Sequence, residues 1–135
     1  MLGNNDPIKP AKANTPSVPT PLPNEIEQVA ESIVDAFKLG DAKLLSDFLN
    51  TSVEIATPSG EGIYSKTQAE RIMQRFFTQN KPVNTTVIHK GDSNAGSSFI
   101  VLSFKTEKQN YRITVFLKQI NSEVKIQEID IVKQV

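Results

Sequence analysis

Cysteine is absent from this chain, which removes disulfide staples, thiolate nucleophiles and Cys-ligated zinc together and leaves the redox compartment open. Histidine occurs once, at His89, so no His-rich metal site can be assembled and none is expected. Net charge is missing too. The 15 Lys and Arg balance 15 Asp and Glu and are interleaved with them. A nucleic-acid partner, which needs a basic stripe able to release counterions, is therefore not expected. No window approaches the ~18 apolar residues of a membrane span. Met1 to Asn5 has neither the positive nor the apolar region of a secretory leader. The chain as given reads as soluble, and prior removal of a leader is compatible with the same residues.

Catalytic signatures are also lacking. There is no G-x-S-x-G elbow, no H-E-x-x-H helix and no calcium loop. Gly60-Glu61-Gly62 has neither the Gly-Lys-Ser/Thr ending of a Walker loop nor the third glycine of a dinucleotide fingerprint, so it reads as a turn. No cofactor is implied.

Six of the eight prolines fall between Pro7 and Pro23, among Ala, Thr, Asn and Ser, with almost no large apolar residue. Residues 1–23 are expected to form an extended Pro-rich tether. Pro16 and Pro19 match a bare P-x-x-P spacing, but a spacer is the simpler reading. A single domain is expected over 24–135, near the usual domain size.

Folding signals begin at once after Pro23. Asn24 reads as an N-cap, and Ile26, Val29, Ala30, Ile33, Val34 and Phe37 follow at helical spacing until Leu39-Gly40. Asp41 caps a second, shorter helix that turns Leu44, Leu45, Phe48 and Leu49 inward. Val53 to Ala56 alternates as a short strand, and Pro58 to Gly62 is a turn cluster. Ser65 and Gln68 form a capping box for a third helix with the stripe Ala69, Ile72, Met73, Phe76 and Phe77. Beyond Pro82 the period falls toward two. Strands are expected near Val83–Lys90, Ser98–Thr106, Asn110–Gln119 and Val124–Lys133, joined as an antiparallel meander. Helices first and strands after give an α+β class with the helices on one face of the sheet.

The stretch Gly60-Glu61-Gly62-Ile63-Tyr64-Ser65-Lys66-Thr67-Gln68-Ala69-Glu70 stands before Phe76-Phe77, and His89-Lys90-Gly91 leaves the next strand. Together with the order of elements, these residues resemble a small bacterial family, domain of unknown function 4783. That family in turn resembles the nuclear transport factor 2-like (cystatin-like) superfamily. The resemblance covers Asn24 to Val135. It implies a cone whose bent antiparallel sheet wraps a helix and often leaves a pocket, so the three N-terminal helices are expected to pack on a curved antiparallel sheet of four long strands plus one short strand. Homodimers through the sheet are common in that superfamily, and export of family members implies an extracytoplasmic site. The scaffold hosts isomerases, lyases, hydrolases and binding subunits alike, and no catalytic set aligns residue by residue, so no catalytic role is carried over.

Candidate residues therefore rest on their own chemistry. His89 shares strand parity with Val83, Thr85 and Val87 and alone titrates near neutrality, so it could act as a base, against a plain strand-end histidine. Glu128 and Asp130 sit at i, i+2, where a carboxylate pair could split acid and base roles. Inward Ile129 and Ile131 would turn both outward, unless a bulge reverses the parity set by Val124, Ile126 and Val132. Tyr111 runs with Ile113, Val115 and Leu117 and needs a partner for its hydroxyl. Tyr64 is expected to pack with a wet tip, and Arg112 to make a surface ion pair. Phe76, Phe77, Tyr111, Val115 and Ile129 are the lining candidates for an apolar cavity. Strand Ser98 to Phe104 is apolar on both parities, so something is expected to cover the outer face of the sheet. The reading is a non-enzymatic binding or interaction module. The alternatives are a small isomerase, lyase or hydrolase using His89 with Tyr111 or Asp130, and a structural dimerisation domain of the cell envelope.

Overall fold

The computed structural model describes residues 23–92 and 96–135. The Pro-rich tether expected over 1–23 lies outside the described residues except for Pro23. Helix α1 runs Pro23–Leu39 and so already contains Asn24, which places its start before the expected cap. Proline is well suited to a first helical position, where a missing N–H breaks no bond. Glu25 in the first turn and Lys38 in the last oppose the helix dipole. The helix stops because Gly40 adopts φ +65°, which lets Gly40 and Asp41 donate back to the Phe37 and Ala36 carbonyls. A β-carbon there would also press on Pro82 at 3.1 Å.

Asp41 then caps α2 (Ala42–Ser46), its carboxylate accepting from the Leu44 N–H at 3.0 Å. Strand β1 (Leu49–Thr57) starts four residues before the expected Val53, so Leu49 belongs to the sheet. The segment Gly60–Ser65 is not a turn with a lead-in but a second strand, β2, paired antiparallel with β1 from Thr57↔Gly60 to Ser52↔Ser65. Only Gly60 of the two glycines takes a positive φ. Gly62 lies inside the strand, and the Tyr64 ring folds over the space its missing side chain leaves, with the hydroxyl 2.8 Å from where a β-carbon would stand. Helix α3 (Lys66–Gln79) opens on the expected capping box, Ser65 and Gln68 each accepting the other's backbone N–H.

Four longer strands complete the chain: β3 (Asn84–Asp92), β4 (Ser97–Lys105), β5 (Asn110–Ile120) and β6 (Glu123–Lys133). The sheet order is β2-β1-β6-β5-β4-β3. The expected sheet of five antiparallel strands is thus corrected in two ways: it has six strands, and β1 pairs with β6 in parallel through Glu54↔Glu128, Ile55↔Ile129 and Ala56↔Asp130. The reason lies in α3. It carries the chain from the β2 edge to the β3 edge, so the meander fills the sheet backwards and its last strand closes on β1. Fourteen residues of helix reach about 21 Å. Six strands at ~4.8 Å spacing are ~24 Å wide, so the crossing helix fits the sheet it spans.

All three helices lie on one face, and a single core forms between them and the sheet. Five rings make its spine: Phe37, Phe76, Phe77, Phe104 and Tyr111, with centroids 5.2–6.4 Å apart and several pairs edge to face. Register shifts in β3 and between β5 and β6 help the sheet bend around these rings. One polar atom is out of place. Thr85, opposite Phe104, is 5% exposed, and its hydroxyl has no partner among the described residues. Replacing Thr85 with isosteric Val removes that burial cost and is expected to raise the unfolding free energy by about 1 kcal/mol, read as a higher urea midpoint at unchanged slope. A lower midpoint would mean that the hydroxyl is satisfied.

Candidate functional site

The end of α3 presents Ile72, Arg75, Phe76 and Gln79 at i, i+3, i+4 and i+7, one helical face. That face meets the β1–β2 turn (Thr57, Pro58, Ser59), the helix cap Asn80 and the strand ends carrying Tyr111 and Lys133. Together they line a cleft of about 410 Å³ at one end of the curved sheet. Tyr111 and Lys133 are direct neighbours in register across β5 and β6.

Its aromatic floor is locked. Phe76 and Tyr111 meet edge to face at 5.2 Å. The Tyr111 hydroxyl donates to Asn80 Oδ1 at 2.8 Å, and Asn80 Nδ2 donates to the Phe76 carbonyl at 3.0 Å. Burial holds the Tyr111 phenol above its ordinary pKa, so it stays protonated and its proton points at Asn80. At the turn, Thr57 Oγ1 accepts from the Ser59 N–H, sits 3.1 Å from Ser59 Oγ and reaches the Gly60 carbonyl. No carboxylate lines the cleft, whereas Arg75 and Lys133 do, and neither forms an ion pair among the described residues.

Of the five lining candidates, the structure brings Phe76 and Tyr111 to this cleft. Phe77 packs between Phe37 and Phe104, although its edge touches a separate cleft of about 820 Å³ with Lys38, Lys43 and Lys81. Val115 and Ile129 face each other in register, fully buried. These three belong to the core rather than to this cleft.

The acid–base candidates are dispersed. A bulge between Val87 and His89 shifts the β3 register, so Val87 stands opposite Leu102 on the core face while His89 stands opposite Val101 on the outer face. The expected shared parity of His89 with Thr85 and Val87 fails at that extra residue. The exposed imidazole rests 5.5 Å from the Phe99 ring. Asp130 shares its outer-face row, Asp130–Thr114–Val101–His89, but three strand spacings, ~14 Å, separate the two. Tyr111 lies on the opposite side of the sheet. Tyr64 is half-buried against the core, and Arg112 is exposed without an ion pair among the described residues. No group of His, Asp or Glu suited to a metal occurs among the described residues.

The outer face carries its own electrostatics. A bulge at Gln127 lets Ile126, Ile129 and Ile131 all turn inward, and it leaves Glu128 and Asp130 outside as expected. Glu128 stands directly opposite Glu54, with Asp130 and Glu61 close by. Burial, then Glu54, Asp130 and Glu61, raise its pKa. Sequence reading missed Arg75 and Lys133. Arg75 was recoverable from the face that begins at Ile72, but Lys133 joins it only through the β5–β6 register.

Solved structures of low identity share this architecture. A domain of unknown function with a cystatin-like fold from Nostoc punctiforme has a TM-score of 0.67 at 10% identity, covering 84% of this chain and 80% of its own. A nuclear transport factor 2-like protein of unknown function from Silicibacter pomeroyi has 0.60 at 8%, covering 82% and 94%. These define the fold. The chain belongs to the family described as domain of unknown function (DUF4783), whose model matches residues 30–132. A DUF4783 protein of known structure from Bacteroides ovatus is 31% identical, with a TM-score of 0.74, covering 77% of this chain and 94% of that one. No curated protein matches the chain.

The raised pKa of Glu128 fixes the sign of one experiment. The fold binds this proton more tightly than the unfolded chain does, so stability from Glu128 is lost as pH rises through its folded pKa and regained as pH falls. Glu128→Gln is therefore expected to stabilise the protein at pH 7 by on the order of 0.5 kcal/mol. In urea titrations at stepped pH that gain should shrink as the medium enters the carboxylate range. A constant gain, or a loss at neutral pH, would mean that the cluster exerts no repulsion.

Proposed function

We propose that this domain is a non-enzymatic binding module whose small ligand seats in the cleft floored by Phe76 and Tyr111. The observation that carries the reading is the contrast between interior and rim. The space under the sheet is filled by interlocking rings, and at one end the same rings border an open cleft bounded by a hydrogen-bonded polar corner. An apolar floor with a few fixed polar groups is the usual make-up of a small-molecule site.

The enzymatic alternative has geometry against it. Its only base, His89, stands on the outer face, and the Tyr111 proton is already committed to Asn80. Self-association through the outer face is favoured by exposed Phe116 (37%) and Val132 (49%), but Glu54, Glu61, Glu128 and Asp130 crowd that face and would repel a second copy. An extracytoplasmic location, in line with the export typical of the family, belongs to the same proposal.

Occupancy of the cleft is the test. A panel of small aromatic and aliphatic compounds, screened by thermal shift and mapped by amide chemical shifts, is expected to yield binders. Their perturbations should cluster at Ser59, Arg75, Gln79 and Tyr111. A ligand at a hundred times its Kd contributes about 2.7 kcal/mol. Ser59→Trp, which fills the entrance from an exposed turn, should abolish both signals while the variant stays folded. Binding that persists in Ser59→Trp, or perturbations centred elsewhere, would remove the cleft as the site.

A further inference from the structure

Charge is distributed unevenly around this cleft in a chain whose formal charges cancel. Its lining includes Arg75 and Lys133 and no acidic residue. The strands that border it do carry acids, but the pleat turns them away. Glu54 on β1, Glu61 on β2, and Glu128 and Asp130 on β6 all project from the outer face, while Lys133 follows its register partner Tyr111 to the cleft side. One sheet thus separates four carboxylates from two cations. The other groups at the rim, Thr57, Ser59, Gln79 and Asn80, are neutral, and Asn80 is already occupied with Tyr111 and Phe76.

From this segregation we infer that the ligand of the cleft is a small amphipathic organic anion, an apolar or aromatic body bearing one carboxylate. The inference rests on the binding-module reading above and narrows it to a ligand class. The body lies against Phe76, Tyr111 and Ile72, where contact with apolar surface supplies the non-specific attraction. The carboxylate sits at the rim between the Arg75 guanidinium, whose planar fork matches it bidentately, and the Lys133 ammonium. The two cations are exposed, so each contributes modestly and the preference is sensitive to salt. A cationic ligand is disfavoured by the same pair.

Benzoate and its neutral analogue benzyl alcohol, titrated separately into the full chain at low salt and followed by amide chemical shifts, test the class apart from the site. Benzoate is expected to bind about five- to tenfold more tightly, with shifts at Ser59, Arg75 and Gln79. The double variant Arg75→Gln/Lys133→Gln should bring benzoate down to the affinity that benzyl alcohol has in the same variant, and a cooperative urea transition shows the variant to be folded. Equal affinities for the two compounds would overturn the anion class and leave the binding module standing. Benzoate shifts centred on Lys38, Lys43 and Lys81 would overturn it as well, placing anions at the neighbouring cleft. If neither compound perturbs the Phe76–Tyr111 cleft, the binding-module reading fails together with the inference.

Discussion

Everything in this domain hangs on how five aromatic rings close the space between α3 and the sheet. Phe76 and Phe77 are adjacent on α3, so they reach in different directions: one toward Tyr111 and Phe104, the other toward Phe37 and Phe104. Phe104 touches all four of the others. Through it the central helix, the first helix and two neighbouring strands are tied to one point. Such rings bring large buried area and a geometric preference beyond area alone. The sheet must bend for them to meet, and bulges on β3 and β6 supply bending without breaking the ladders.

That same closure decides where a ligand can go. A core packed this densely leaves room at its edges, and one such edge lies at Phe76 and Tyr111. Asn80 finishes the seam by accepting from the tyrosine and donating to the helix carbonyl, so the rim is rigid and its hydrogen bonds are satisfied. The pleat sorts the charges. Acids that would occupy the cleft on a strand slipped by one residue stand instead on the outer face, where Glu54 and Glu128 oppose each other at some cost to stability.

Much of this was legible in the residues. The stripes of α1 and α3, the Ser65–Gln68 capping box and the four later strands announce themselves through local period and local chemistry, and their ends agree with the structure within two residues, whereas α2 stops at Ser46 and leaves Phe48 and Leu49 beyond the helix that was expected to hold them. Strand β2 was hidden because Gly60-Glu61-Gly62 reads as a turn. Gly62 nevertheless pairs with Ile55 in the strand, and the Tyr64 ring covers it. The parallel pairing of β1 with β6 joins residues some seventy positions apart, and no local pattern carries such a contact. His89 was misplaced by one extra residue in β3, since a parity count fails at a bulge. In the site, Phe76 and Tyr111 could be picked from apolar spacing. Lys133 could not, because its approach to Arg75 depends on tertiary register rather than on its neighbours in sequence.

Native-state hydrogen exchange puts the closure of the aromatic seam to its most direct test, because amides held by one cooperative core open only with the whole molecule. The amides of Met73, Phe76 and Phe77 on α3 are expected to exchange with the same free energy as those of Leu102 and Phe104 on β4 and Ile113 on β5, equal to that of global unfolding. If the α3 amides exchange by a separate opening of much lower free energy while the sheet stays protected, the rings do not bind helix to sheet, and the floor of the proposed site goes with them.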